Sequence, residues 1–246
     1  MRDRYELTHL NWMQVESRLR EDVRIVIPMG ATEEHGYLSL LSDFLFVDRV
    51  TRQACERSNV LRAPVIPFGC SAFAVQFPGT ISLRTVTLCH VVTDVVDCLY
   101  RQGFRRLVFT TGHGGNEVIT GVLSEAQLDR PQSNIYYVNA WKGMQDQVSR
   151  IESERGLPRG DHAAWYEAFP MNRVAPIPDL EKPPPSGADY PLFPLNPRTA
   201  RQHLGDGVVS GAYHPTPDHE MEGLLEACVN HLAGFLENLP KTPAEQ

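Results

Sequence analysis

The sequence predicts an α/β fold with a mostly parallel sheet covered by helices on both faces. Short, β-branched apolar runs read as buried strands, and they alternate with stretches of helical spacing, the pattern of βαβ crossovers. Acid and imidazole side chains fall just after these runs, where open α/β sheets collect their functional groups.

Residues 23–28, Val-Arg-Ile-Val-Ile-Pro, form the first predicted strand. Residues 44–58 follow with Phe44, Val47, Val50 and Ala54 on one helical face, and 61–66 is a second strand candidate. Residues 85–102 are amphipathic through Val86, Val91, Val92, Val95, Val96 and Leu99, with Gly103 placed to end the helix. Residues 106–111 are a third strand, and Asn116 is placed to cap a helix running to about residue 129. Residues 134–140 are a fourth strand, and 218–239 a long closing helix stopped by Pro240. The stretch 176–197 holds too many prolines for a regular helix or a central strand, so it is expected as an excursion from one domain spanning 1–246.

Composition fits one soluble globular domain, with 42% hydrophobic and 22% charged side chains over 246 residues. A formal charge of −7 offers no general attraction to nucleic acid or to anionic membranes. No apolar stretch is long enough to span a bilayer, and the charged N-terminus leads into no apolar run of a signal peptide. Five scattered cysteines without a CxxC pair read as free thiols in a reducing cytoplasm.

Four short segments carry possible metal ligands. In extended backbone Glu33 and His35 point to the same side and can reach one ion, while Glu34 faces away; a polar surface turn is the plainer alternative. Asp43 precedes a predicted helix and, taken alone, reads as its N-cap; a carboxylate there could also bridge two ions. The glycines of Gly112-His113-Gly114-Gly115-Asn116 suit a phosphate loop or a liganding imidazole. The absence of GxGxxG spacing and of a P-loop lysine favours the imidazole. Asp161 to Glu167, taken as a helix, puts His162 and Tyr166 on one face; His162, near a carboxylate, is assigned a part in catalysis. There is no GxSxG motif, and His9, His90, His203, His214, His219 and His231 show no ligand spacing.

Together these segments resemble the creatininase (creatinine amidohydrolase) family. The matching stretches are Gly30-Ala31-Thr32-Glu33-Glu34-His35-Gly36, Asp43, Phe77-Pro78-Gly79-Thr80-Ile81-Ser82-Leu83, Thr111-Gly112-His113-Gly114-Gly115-Asn116 and His162-Ala163-Ala164-Trp165-Tyr166-Glu167. The resemblance implies a three-layer α/β/α sandwich that forms a homo-oligomer, often a hexamer. It also implies two divalent ions, zinc or manganese with iron also fitting, that activate water to hydrolyse a cyclic amide or related C–N bond of a small molecule. Carried over by position, Glu33, His35, Asp43 and His113 match ligands with Asp43 as the bridge, Glu167 supplies the remaining ligand and takes part in catalysis, and His162 shuttles protons.

Departures from the family pattern lie around the substrate. His35-Gly36-Tyr37-Leu38-Ser39-Leu40 replaces H-G-P-H-L-P, and Gly115 stands where creatininase proper has a glutamate ligand. Tyr37, Phe77, Gly114, Asn116, Trp141 and Trp165 are candidate substrate contacts, with Phe77, Trp141 and Trp165 reading equally well as ordinary core aromatics, and creatinine itself is disfavoured. The rival expectations are a ring-opening C–C hydrolase of a cyclic polyol ketone or a deformylase on the same ions, and a non-catalytic metal-binding scaffold.

Overall fold

The computed structural model describes residues 5–183, 196–213 and 216–242. Its central sheet has four parallel strands in the order β2-β1-β3-β4: β1 Arg24–Met29, β2 Leu61–Arg62, β3 Arg106–Thr111 and β4 Asn134–Asn139. All six residues of β1 and of β3 are buried, as expected of strands covered on both faces.

The alternation of side chains along β1 divides the core in two. Ile25, Ile27 and Met29 face a cluster that includes Leu88, Val92 and Val96 of α3 (Thr85–Gln102) and Leu123 of α4 (Thr120–Leu128). Val26 faces the opposite way, into a cluster with Phe46 and Val50 of α2 (Ser42–Ser58) and Leu225, Val229 and Leu232 of α7 (Asp218–Glu237). This is the three-layer α/β/α sandwich. Around it lie α1 (Trp12–Leu19), α5 (Gln145–Arg155) and α6 (Pro197–Leu204). A separate antiparallel pair joins β5 (Leu180–Lys182) to β6 (Gly211–Tyr213).

Several expectations shift. The second strand is two residues long, and its continuation is a single bridge between Met29 and Ile66. The expected proline-rich excursion is interrupted by β5, and α6 begins at Pro197 on the Asn196 side-chain cap; residues 184–195 of that stretch lie outside the described residues. Asn116 caps no helix: it sits inside a 3₁₀ segment, 114–119, that precedes α4. The segment 161–167 is not a helix. Ala163 has φ +59, which breaks helical continuity, and only Trp165–Glu167 form a 3₁₀ turn.

Register sets up the site. Met29 pairs with Thr111 and Thr111 with Asn139, so three strands end level. The first turn of α2 lies across these ends. A Cβ at Gly112 would stand 2.6 Å from the Asp43 carbonyl oxygen, so this glycine is what lets α2 approach.

Candidate metal centre

Glu33, His35, Asp43, His113, His162 and Glu167 converge above the strand ends. Glu33 and His35 come from the loop after β1, Asp43 from the first turn of α2, His113 from the turn after β3, and His162 and Glu167 from the turn and 3₁₀ segment beyond α5. Their donor atoms fall into three overlapping trios, each with all atoms within 4.8 Å of one another: Glu33–Asp43–His113, His35–Asp43–Glu167 and Glu33–His35–His162.

Asp43 joins the first two trios. Its Oδ1 lies 3.1 Å from His35 Nε2, and its Oδ2 lies 2.8 Å from His113 Nδ1. Glu167 Oε2 closes one trio at 3.2 Å from His35 Nε2, and Glu33 Oε2 closes the other at 3.4 Å from His113 Nδ1. Asp43 is no helix cap: the N-cap position is Leu41, which makes no side-chain cap bond.

Each imidazole is held by a backbone carbonyl on the side away from the carboxylates. His35 Nδ1–H donates to the Glu33 carbonyl at 3.1 Å, leaving Nε2 for the cluster. His113 uses the opposite nitrogen: Nε2–H donates to the Cys70 carbonyl at 3.0 Å, leaving Nδ1. Such carbonyl partners fix tautomer and ring orientation, as around metal-liganding histidines generally. The His113 turn is held in its own right. Thr111 Oγ1 donates to the His113 carbonyl and accepts from the His113 amide, and Asn116 Nδ2 donates to Thr111 Oγ1 and to the Gly30 carbonyl.

The donor set fits divalent cations. Three carboxylates are buried together, which is costly without cations. Glu33 Oε1 is buried and forms no hydrogen bond, and buried Asp43 Oδ2 faces His113 Nδ1 at 2.8 Å. The four donor separations, 2.8–3.4 Å, lie close to the edges of about 3–3.5 Å expected between ligands bonded at about 2.0–2.2 Å. The protein's electrostatics show the same demand for positive charge. Burial pushes the Glu33 carboxyl up despite the neighbouring histidines. Burial opposes charge on Asp43 too, but His35 and His113 outweigh it and hold that carboxyl well below the usual range. Burial likewise opposes charge on His35 and His113, yet Asp43 and Glu167 raise the first, and Glu33 and Asp43 raise the second to about 9.

Gly115 bears on which carboxylate completes the His35–Asp43 trio. A Cβ there would lie 2.0 Å from the Cys70 carbonyl oxygen and 2.5 Å from His113 Nε2, so no glutamate fits at this position. Glu167 approaches instead from the 165–167 turn.

The cluster opens into a cavity of about 980 Å³, lined beside the ligands by Phe73, Gly114, Trp141 and Tyr166 among others. Of the expected substrate contacts, Gly114 and Trp141 line it. Four do not. Trp165 is 2% exposed and donates its Nε1–H to Glu152 inside the core. Phe77 packs with Ala74, Leu204 and Val209 under the Arg201 guanidinium. Asn116 is fully buried and holds the His113 turn, and Tyr37 directs its hydroxyl to Asp206. Tyr166 and Phe73 take the wall positions instead; Phe73 stands edge-on to the His162 ring at 5.9 Å. The sequence signal for Tyr166 is its position next to Trp165, one step around the 3₁₀ turn. Trp141 is anchored by a stack on Phe46 at 3.6 Å and by its Nε1–H to the Gly112 carbonyl. Glu34 was expected to face away. It avoids both Asp43 trios, but it is buried and contacts His162. Among the histidines without ligand spacing, His214 lies outside the described residues.

A family model described as creatinine amidohydrolase matches residues 8–236. The creatinine amidohydrolase of Pseudomonas putida is 29% identical over 95% of this chain and 96% of its own. The mycofactocin precursor peptide peptidase of Mycobacterium ulcerans (strain Agy99) is 32% identical over 85% of this chain and 84% of its own. A crystal structure of creatininase superposes with a TM-score of 0.83 at 26% identity, covering 97% of this chain and 99% of that one. Creatininase structures include a manganese form and a variant of zinc–zinc type.

Proposed function

The chain belongs to the creatininase family, and on that premise we propose that Asp43 would be shared between two divalent ions and that the protein cleaves an amide-type C–N bond in a small molecule larger than creatinine. Metal-dependent hydrolysis comes with the family; the pair of ions, their ligands and the substrate are the proposal. The observation that carries it is the divided carboxylate of Asp43, with one oxygen toward His35 and the other toward His113. Glu33, Asp43 and His113 would hold one ion, and His35, Asp43 and Glu167 the other. Zinc or manganese suits this mixed oxygen and imidazole set, and iron also fits. Bound there, such ions supply Lewis acidity that polarises a carbonyl and lowers the pKa of water to near neutral.

The chain's own groups complete the chemistry. His162 Nδ1 stands 3.8 Å from Glu33 Oε2 at the cavity edge, placed to give a proton to the leaving nitrogen. Burial opposes its charge, but Glu33 and Glu34 raise its pKa to about 9, which favours the protonated, donating form. Trp141, Tyr166 and Phe73 form an aromatic wall that orients substrate and excludes water. The cavity volume lies at the upper end of the roughly 300–1,000 Å³ usual for drug-sized ligands, which argues for a substrate bulkier than creatinine.

Residues 1–246 are read as one catalytic unit that works in the cytoplasm as a homo-oligomer, with a hexamer the expected assembly. Among the described residues no helix is long and apolar enough to cross a membrane. All five cysteines are free, in keeping with a reducing compartment. Exposed Phe68, Val75, Ile81 and Val86 lie within or beside the 70–85 stretch that contributes to the cavity and offer apolar contact for another subunit. Light scattering of the purified protein tests the assembly.

Turnover of a panel of lactams, N-substituted amides, N-formyl compounds and cyclic ketones by the metal-loaded protein tests the reaction. Amide cleavage is the expected result. Activity confined to cyclic ketones would overturn the C–N assignment and leave the metal centre standing.

A further inference from the structure

We infer that Glu34 is a positioning residue for His162, holding the Nε2–H of its imidazole so that Nδ1 is the atom that carries protons in the cavity. This rests on the proposed proton-transfer role of His162.

Glu34 is buried between two liganding residues, yet its side chain serves neither Asp43 trio. Its Oε1 lies 3.1 Å from His162 Nε2, and its backbone carbonyl oxygen lies 2.8 Å from the same nitrogen. Both partners accept, so Nε2 carries the hydrogen, shared between two oxygens of one residue. A neutral imidazole has one N–H, and Nδ1 is then left with its lone pair directed toward Glu33. The second carboxylate oxygen is engaged as well: Glu34 Oε2 accepts the Gly36 amide at 3.1 Å. Room for it is built into a distant turn. A Cβ at Gly207, where φ is +94, would stand 2.0 Å from that oxygen. Three segments, 33–36, 161–162 and 205–208, therefore close around one carboxylate–imidazole pair.

The proton balance is closed. His162 Nδ1–H gives its proton to the leaving nitrogen as the C–N bond breaks, and Nδ1 recovers one from the water whose oxygen has bonded to the carbonyl carbon. Glu34 keeps no proton in this cycle. It stabilises the cationic ring and prevents the ring flip that would turn Nε2 into the cavity. A carboxylate is required because both of its oxygens face N–H donors. Glutamine would set its NH₂ against either Gly36 N–H or His162 Nε2–H.

The test compares zinc-loaded wild type with Glu34→Gln, Glu34→Ala and His162→Ala. The readouts are metal content, kcat and KM, and the proton NMR resonance of His162 Nε2–H. Both Glu34 variants are expected to keep their metal and to move that resonance upfield or lose it. Their kcat should fall about 10-fold or more, part of the roughly 10²–10⁴-fold that a positioned acid–base group contributes. KM should stay within about twofold, the mark of an interaction made in the transition state. A resonance and kcat unchanged in both Glu34 variants, with His162→Ala inactive, would overturn the Glu34 inference alone. Full activity in His162→Ala would overturn the proton-transfer role on which it rests. Glu34→Gln, nearly isosteric, keeps the test decisive if Glu34→Ala fails to fold.

Discussion

Replacing Asp43 with asparagine is expected to weaken both metal positions, not one. Asp43 Oδ1 and Oδ2 each close a different trio, at 3.1 Å from His35 Nε2 and 2.8 Å from His113 Nδ1. Asparagine keeps one acceptor oxygen and turns the other into an NH₂ group. Whichever way it rotates, one trio loses a ligand and the other exchanges an anionic oxygen for a neutral one. Structural zinc sites with four ligands bind with about 10–16 kcal/mol, or roughly 2.5–4 kcal/mol per ligand. At about 1.4 kcal/mol per tenfold, the trio that loses its oxygen should bind about 10²-fold or more weakly. The other should weaken by about tenfold, comparable with the loss of an outer-shell partner. Chelator competition with zinc and with manganese, followed by elemental analysis, measures both constants. Glu33→Gln and Glu167→Gln serve as controls, since each belongs to only one of the two Asp43 trios and should weaken one ion. If Asp43→Asn retained an ion at wild-type affinity, Asp43 would not be shared and the two-ion arrangement would fail.

The remaining predictions are separate in cause. In metal-free protein His113 and His162 are both raised to about 9, against about 6.5 unfolded. For each, burial opposes the charge and is outweighed, by Glu33 and Asp43 at His113 and by Glu33 and Glu34 at His162. The folded state then holds more protons, so this stabilisation is full below about pH 6.5 and is lost as pH rises through about 9. The Tm of metal-free protein should fall across that window by scanning fluorimetry, and a Tm rising with pH would contradict the assignment. Metal uptake at His113 displaces its proton, so apparent metal affinity should climb over the same window, by about tenfold per pH unit for each proton released. Gly115→Ala forces a Cβ to 2.0 Å from the Cys70 carbonyl oxygen that holds His113. It should cost about 1–3 kcal/mol by chemical denaturation and lower metal content, and a variant that binds metal normally would show that the loop yields. Trp165→Phe should lower stability by about 1 kcal/mol through the lost bond to Glu152 while leaving KM unchanged. Trp141→Ala should raise KM, because that ring lines the cavity; the opposite pattern would reverse the two tryptophans.

What was legible in the sequence is what local physics decides. β3 and α3 are long, strongly patterned and punctuated by a left-handed Gly103, so their bounds could be read directly. Of the candidate ligands, Glu33, His35 and His113 were legible because they stand just after strand ends. Helix α5 was missed because its sequence, Gln-Asp-Gln-Val-Ser-Arg-Ile-Glu-Ser-Glu-Arg, is mostly polar and buries only Val148 and Glu152. Residues 161–167 resembled a helix by spacing alone, and the positive φ of Ala163 is a backbone choice that spacing does not reveal. Glu34 was misplaced for a different reason. Alternation along a strand says which way a side chain leaves the backbone, and nothing about a histidine 128 positions later that meets it there. Trp165 and Tyr166 exchanged roles for the same reason: neighbouring aromatics in a 3₁₀ turn point about a third of a turn apart, and only tertiary packing selects the one that faces the cavity.

The most direct test of the central claim is the metal content of the purified protein together with anomalous scattering from its crystals. Two ions per chain are expected, with one peak between Asp43, Glu33 and His113 and the other between Asp43, His35 and Glu167. A single ion, or two ions of which neither contacts Asp43, would contradict the shared-carboxylate centre.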